Sequence, residues 1–266
     1  MGDWTSGACA TEDGVIHLRR TGAGRPVVLL HGLAGDGATW GPVARGLVDV
    51  AEVVAPDARG HGLSPDPGRG HRYDDHARDV EALVRGLDLD RPVLVGHSMG
   101  GVTAGVVAAR ARVDLSGVVL VDPTFLTPAR QREVHGSDVA ARHAASLRRS
   151  DDEGIADLRA RHPGRTAEVA ALTWRARRAT RPAAFDVLVP PAPDYRALVS
   201  ALAVPSLLVV GDSEPVVEAV VLDEIRRLRP EIRVEVVAGA GHGVPFDQPD
   251  RLAALVRGFI AALDRP

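Results

Sequence analysis

The stretch that decides the fold is VLVGHSMGGV, residues 93–102. An apolar run ending at His97 predicts a buried strand, and the small and apolar residues after Ser98 predict a helix that begins with almost no loop. A serine in so short a connection has to occupy a tight turn, where side chains at the flanking positions would collide with neighbouring backbone. Gly96 and Gly100 therefore fit a strained strand–turn–helix that raises Ser98 above the edge of a sheet.

Other apolar runs predict the rest of this sheet. They lie at 26–31, 52–57, 92–97, 117–122, 205–212 and 233–239. Because these runs are continuous rather than alternating, they indicate parallel strands covered on both faces. Segments with helical periodicity lie between them, so the sequence predicts an α/β fold with a mainly parallel sheet flanked by helices.

One long segment interrupts this alternation. Residues 126–203, here called the cap segment, are rich in arginine and alanine, contain no clear strand and include VPPAPD at 189–194. An ordinary crossover between strands is much shorter. We therefore predict a helical cap of three or four helices, inserted into a core formed by residues 1–125 and 204–266.

The composition excludes several kinds of function. Aromatic residues make up only 3% of the 266 residues and the formal net charge is -3, which argues against a nucleic-acid partner. No apolar run is long enough to span a bilayer, and the first residues lack the pattern of a secretory leader, so a cytoplasmic protein is expected. The chain has no lysine, which excludes a Walker A loop, a pyridoxal Schiff base and a Ser–Lys dyad.

The pattern G-x-S-x-G between a strand and a helix is a nucleophile elbow, and it makes Ser98 the candidate nucleophile. The alternative is a glycine-rich turn with a structural serine. A second strand leads into LLHGLAGDGATW at 29–40, whose backbone N–H at Leu33 would pair with that of Met99 to form an oxyanion hole. The glycine spacing of this loop does not match a dinucleotide fingerprint.

The loop after the last predicted strand, VVAGAGHGVPFDQP at 236–249, contains His242. A histidine there can meet Ser98 across the top of the sheet and act as general base. The remaining histidines lack metal-ligand spacing, so we expect no catalytic metal and no cofactor.

Taken together, these pieces resemble the α/β-hydrolase fold superfamily over nearly the whole chain. The resemblance rests on the His31-Gly32 loop, PDARGHGLSP at 56–65, the GHSMGG elbow and GAGH at 239–242. It implies an eight-stranded type of sheet with the cap inserted after the sixth strand. Serine at the nucleophile position distinguishes the chain from the branches that use aspartate there. The resemblance then implies an esterase, lactonase, carbon–carbon bond hydrolase or haloperoxidase-like enzyme that acts on a small molecule.

The resemblance also implies which acidic residue would orient His242. In this superfamily the acid most often stands at G-x-x-D after the seventh strand, and counting from Gly211 in VVGDSEPVV gives Glu214. Asp212 comes immediately after the strand, and we expect it to accept hydrogen bonds from backbone N–H groups of the turn. Asp122 is the third candidate, because some relatives place the acid after the sixth strand.

The sequence therefore leaves two functions open. The first is a serine hydrolase that attacks an ester, lactone or activated ketone through an acyl-enzyme; the second is a hydrolase-like binding protein with little turnover. Trp40 and Phe125 follow strand ends and are candidate pocket residues. The arginines of the cap segment could attract an anionic substrate, but its nine acidic residues favour a mixed, solvated surface.

Overall fold

A single eight-stranded sheet organises the computed structural model, which describes residues 4–263. The strands are β1 (Thr5–Thr11), β2 (Gly14–Gly22), β3 (Arg25–Leu30), β4 (Ala51–Pro56), β5 (Val93–His97), β6 (Gly117–Val121), β7 (Ser206–Gly211) and β8 (Arg233–Val237). Their order across the sheet is β1-β2-β4-β3-β5-β6-β7-β8. The predicted fold class, a mainly parallel sheet flanked by helices, is confirmed.

The six predicted strands are β3 to β8, and their pairings with one another are all parallel, whereas β4 also pairs antiparallel with β2. The antiparallel hairpin of β1 and β2 has no counterpart among the apolar runs of the sequence. Most residues of β1 are exposed, so its sequence lacks the apolar run that marked the other strands. The edge strand β8 is also partly exposed, with Val236 at 52%, and so departs from the expectation that every strand is covered on both faces.

Eleven helices are described within residues 4–263. They are α1 (Gly41–Ala44), α2 (Tyr73–Gly86), α3 (Met99–Arg110), α4 (Pro128–Gly136), α5 (Val139–Ser146), α6 (Asp151–Arg161), α7 (Ala167–Ala179), α8 (Tyr195–Ala201), α9 (Ala219–Leu228), α10 (Val244–Asp247) and α11 (Pro249–Leu263). None of them has the length and apolarity needed to cross a membrane.

The sheet separates two hydrophobic layers. Side chains alternate along each strand, so Val28 and Leu30 of β3 pack with α2, α3, α8 and α9 on one face. Val27 and Leu29 pack with α1 and α11 on the other. Since both faces are covered, the interiors of the central strands are apolar, and their polar residues lie at or near the strand ends.

The cap segment contains five α-helices, α4 to α8, rather than the three or four helices predicted, and it also contains a 3₁₀ helix (Pro182–Leu188). Leu158, Ala170 and Trp174 form a small hydrophobic cluster of its own. Its last helix, α8, instead belongs to the main core, because Tyr195 stacks on Phe125 with ring centroids 5.9 Å apart. The division into core and cap domains stays a prediction.

Candidate active site

Ser98 lies between β5 and α3 with φ +56° and ψ -117°. This is an unusual conformation for a residue with a side chain, and it is held by a bond from the Ser98 N–H to the carbonyl of Val121, 3.0 Å away. A Cβ on Gly96 would collide with the carbonyl of Gly100, and a Cβ on Gly100 would collide with that of Leu30. The two glycines of the motif are therefore required by close backbone approach, as the sequence predicted.

His242 lies in the loop between β8 and α10, directly opposite Ser98. Its Nε2 is 3.0 Å from the Oγ of Ser98, within hydrogen-bond reach. Its Nδ1 is 2.6 Å from Oδ2 of Asp122. The imidazole is thus held between a hydroxyl and a carboxylate, an arrangement in which Nδ1–H donates to the acid and Nε2 accepts from the serine.

Asp122 follows β6 with φ +36° and is completely buried. Two backbone N–H groups donate to its carboxylate: Val216 to Oδ2 at 2.8 Å and Val217 to Oδ1 at 3.0 Å. These two donors fix the orientation of the buried carboxylate, so Asp122 is positioned to accept a hydrogen bond from His242.

The expectation that Glu214 holds His242 is wrong in this structure. Glu214 lies in the turn between β7 and α9 with φ +50°, is exposed, and forms no hydrogen bond to His242. Asp212, the second candidate, accepts a hydrogen bond from the N–H of Gly239 at 3.0 Å and so links two loops rather than the residues of its own turn. The turn after β7 contributes backbone N–H groups to Asp122 instead of contributing the acid.

His97 is a site residue that the sequence analysis missed. It is buried next to Ser98, and its Nε2 donates to the carbonyl of His242 at 2.8 Å. Burial, together with the neighbouring His242, lowers the pKa of His97 to about 3, so the ring stays neutral and fixes the His242 loop through one hydrogen bond. The signal was present in the sequence as the second residue of G-H-S-M-G.

The predicted oxyanion hole involves two backbone groups near Ser98. Met99 is the first residue of α3, so its N–H has no partner within the helix. Leu33 follows Gly32, at which a Cβ would lie 3.1 Å from the Cβ of Ser98, so this loop passes close to the elbow. His31 has a structural role here, because its Nε2 accepts the N–H of Ala58 at 2.9 Å.

A deep cleft opens above Ser98 and is here called the Ser98 cleft. It consists of two adjoining cavities of about 840 Å³ each. Six residues line both cavities: Leu33, Ala34, Ser98, Arg161, Arg177 and His242. The cleft has room for a small organic substrate together with water.

The two predicted pocket aromatics do not line this cleft. Trp40 is 2% exposed and packs in the layer with α1 and α11, while Phe125 is 2% exposed and packs against Tyr195 in the opposite layer. Both are large apolar side chains next to strand ends, where packing of the core takes priority. Both pocket assignments are wrong.

The walls of the cleft are basic instead. Six arginines of the cap segment line it: Arg142, Arg148, Arg149, Arg161, Arg165 and Arg177. Only three acidic side chains do so, namely Asp157, Glu214 and Asp247. The expectation of a mixed, solvated cap surface is therefore wrong for this face of the cap segment. Within residues 4–263, no group of three or more His, Cys, Asp and Glu side chains is arranged to hold a metal ion.

Comparison with known proteins agrees with this architecture. Residues 25–249 match the family model described as the alpha/beta hydrolase fold. The chain belongs to the α/β-hydrolase family. Its relatives are named as hydrolases and esterases, and the chain is accordingly an α/β-hydrolase enzyme.

Two curated relatives align over nearly the whole chain. The 2-(acetamidomethylene)succinate hydrolase of Mesorhizobium japonicum is 31% identical over 93% of this chain and 92% of its own length. The N-formylmaleamate deformylase of Pseudomonas putida is 32% identical over 100% of this chain and 99% of its own length. The crystal structure of an E-2-(acetamidomethylene)succinate hydrolase superposes with a TM-score of 0.85 at 26% identity, covering 97% of this chain and 100% of that one.

Proposed function

We propose that this enzyme cleaves an ester or amide bond of a small molecule, with Ser98 as nucleophile, His242 as general base and Asp122 as the acid. The observation that carries the proposal is the pair of hydrogen bonds that joins the three side chains, 2.6 Å from Asp122 to His242 and 3.0 Å from His242 to Ser98. Each group lies at the end of a different strand or in its following loop, so the sheet holds all three in register.

In the first step, Nε2 of His242 takes the hydroxyl proton of Ser98 while Oγ attacks the substrate carbonyl carbon. The carbonyl oxygen becomes an oxyanion, to which the N–H groups of Leu33 and Met99 donate. Asp122 stabilises the imidazolium through Nδ1–H, and the two backbone bonds to its carboxylate hold it in position.

In the second step, the tetrahedral intermediate collapses, and the imidazolium gives its proton to the departing alcohol or amine. An acyl-enzyme on Ser98 remains. Water, deprotonated by His242, then attacks the acyl carbon and releases a carboxylic acid and free Ser98. The neutral ring of His97 holds the backbone of His242 in place throughout.

The proposal also specifies which kinds of bond the enzyme cleaves. The names of the two relatives above specify an acetamido group and an N-formyl group, and a third relative, from Escherichia coli, is named an esterase. We therefore include amides beside esters as substrates of this enzyme, because the same attack and the same proton transfer serve both leaving groups.

The test is replacement of Ser98 by alanine. We expect Ser98→Ala to lose about 10⁶-fold in turnover of 4-nitrophenyl acetate, as in triad serine enzymes generally, while its thermal unfolding remains cooperative. A fluorophosphonate probe should label the wild-type enzyme once, and mass spectrometry should place the label on Ser98.

Two results would contradict the proposal. Retention of most activity in the Ser98→Ala enzyme would exclude Ser98 as nucleophile. Stoichiometric labelling of Ser98 without turnover of any ester or amide in a broad panel would favour a hydrolase-like binding protein.

A further inference from the structure

The positive charges of the Ser98 cleft are not equally available to a ligand. Arg165 donates to Asp247 at 2.7 Å and lies over the ring of Phe246. Arg149 and Arg161 both pair with Asp157. Three of the six arginines are therefore paired with acids that line the same cleft, and two of these three share a single carboxylate.

Arg177 differs from these three arginines. It is half-buried in α7, and no ion pair to it is found among residues 4–263. Its Nε is buried and has no hydrogen-bond partner in that part of the chain. A guanidinium N–H that is removed from water and left unpaired costs free energy, which a bound acceptor would recover.

Thr173 lies four residues earlier, one helical turn from Arg177 on the same face of α7. Its Oγ1 is also buried without a partner among the described residues, and both side chains line the cavity that contains Ser98. Two unpaired polar atoms on one helical face, both from residues that line the same cavity as Ser98, provide donors for a ligand with acceptor oxygens.

The electrostatic surroundings agree with an anionic ligand. Burial lowers the pKa of the Arg177 guanidinium, and the charges of Arg161 and Arg149 lower it further, while Asp157 raises it. Like charges crowd around Arg177, although arginine itself stays protonated. An anion bound there would relieve both the desolvation and the repulsion.

We infer that Arg177, with Thr173, binds a carboxylate of the substrate that is separate from the bond being cleaved. This inference rests on the proposed function and specifies its substrate class: a small ester or amide that also bears a free carboxylate. The guanidinium supplies N–H donors to the carboxylate oxygens, and the Thr173 hydroxyl supplies one more.

A carboxylate is favoured over a phosphate by the position of the two residues. Phosphate sites commonly use backbone N–H groups at a helix N-terminus or in a nest. Thr173 and Arg177 lie in the interior and last turn of α7 (Ala167–Ala179), where the backbone N–H groups are used within the helix. The donors available are side-chain groups, which can hold a carboxylate without the backbone donors that phosphate sites commonly add.

The experiment compares matched esters that differ in one charge. Mono-4-nitrophenyl adipate is paired with 4-nitrophenyl hexanoate, which places the carboxylate on the acyl side. Next, 3-carboxyphenyl acetate is paired with its methyl ester, which places the carboxylate on the leaving group. For each pair, the ratio of kcat/KM for the anionic to the neutral ester is measured in the wild type and in variants.

We expect Arg177→Gln to lower this ratio by about 10- to 100-fold for at least one pair, the loss typical of a charge-assisted hydrogen bond. Arg177→Lys should lower it less, because the charge remains but the planar fork is lost. Thr173→Val should lower it by about 3- to 10-fold. The matched control is Arg175→Gln, an exposed arginine of the same helix that does not line the cleft, and it should leave the ratio unchanged.

Unchanged ratios in Arg177→Gln and Arg177→Lys for both pairs would overturn the inference. So would an equal loss on neutral and anionic esters, which would indicate a structural role for Arg177. If Arg177→Gln does not fold, Arg177→Lys and Thr173→Val decide the outcome by the same ratios.

Calorimetric titration with succinate separates this inference from the proposed function, because it needs no turnover. If the wild type cleaves none of the esters, the proposed function fails; succinate binding that Arg177→Gln weakens about tenfold or more would still support the carboxylate site. Absence of succinate binding, or inorganic phosphate binding at least as tight as succinate, would overturn the assignment.

Discussion

The ends of β6 and β7 present the same chemistry in opposite environments. Asp122 follows β6 and is completely buried, whereas Asp212 and Glu214 follow β7 and are exposed. Only the buried carboxylate contacts His242. The difference teaches that burial and backbone donors, rather than the spacing of an acid from the strand end, determine which carboxylate can serve the histidine.

The exposed turn nevertheless contributes to the site. Its Val216 and Val217 direct their N–H groups at the carboxylate of Asp122. The β7 turn therefore acts through its backbone, and the β6 end acts through its side chain. If this comparison is correct, substitutions at the two strand ends should differ by orders of magnitude in their effect on turnover.

The largest effect is expected from Asp122→Asn. The amide keeps the shape of the side chain but no longer stabilises an imidazolium, and it favours the wrong tautomer of His242. We predict a loss of about 10⁴-fold in kcat on 4-nitrophenyl acetate, the size of the loss seen for this change in a triad protease. The circular dichroism spectrum should be that of the wild type.

One result would contradict the assignment of Asp122, rather than an acid of the β7 turn, as the partner of His242. If Asp122→Asn kept turnover within tenfold of the wild type while Glu214→Gln lost it, the exposed turn would hold the functional acid and the two strand ends would exchange roles.

An intermediate effect is expected at the end of β5, where His97 is buried like Asp122. His97→Phe removes the N–H that donates to the carbonyl of His242, so the loop bearing the base is less well fixed. We predict about a tenfold loss in kcat. His97→Gln, which keeps a donor, should recover most of that loss.

The lowered pKa of His97 also predicts how the free energy of unfolding depends on pH. Its pKa is about 3 in the folded protein and near 6.5 when unfolded, so the unfolded state binds a proton over this range and the folded state does not. Stability should therefore fall as the pH is lowered from about 6.5 towards 3. His97→Gln removes this contribution, and urea unfolding at pH 7 and pH 5 should show a smaller difference between the two midpoints than in the wild type.

The smallest effect is expected from Glu214→Gln. Because the side chain is exposed and does not contact His242, we predict kcat/KM for 4-nitrophenyl acetate within about threefold of the wild type. The matched control is Asp212→Asn, two residues away, which should also stay within threefold. A loss above 100-fold in Glu214→Gln alone would assign this turn a role that its geometry does not explain.

The elbow and the strands β3 to β8 could be predicted because close backbone approach and burial on two faces leave direct marks in the sequence. The acid could not. Asp122, Asp212 and Glu214 each stand near a strand end, and the choice depends on which turn folds its N–H groups over which carboxylate. No short sequence pattern records that contact between residues almost a hundred positions apart.

The composition of the cleft escaped prediction for a related reason. The direction in which a long arginine side chain points depends on how its helix is rotated and docked, and the cap segment has no strand to fix that rotation. Trp40 and Phe125 were predicted to line the pocket because they follow strand ends, although a large apolar side chain there usually packs in the core.

The anchoring of Asp122 has a consequence for protein engineering. The carboxylate is held by β6 on one side and by the turn after β7 on the other, and these two strands are adjacent, with Val121 opposite Val209. The cap segment lies in the chain between these two anchors, and its last helix, α8, packs in the main core. We therefore expect that the part before α8 can be exchanged for a cap of another shape and charge, with residues 117–125 and 195–217 left untouched, to redirect the scaffold to new substrates.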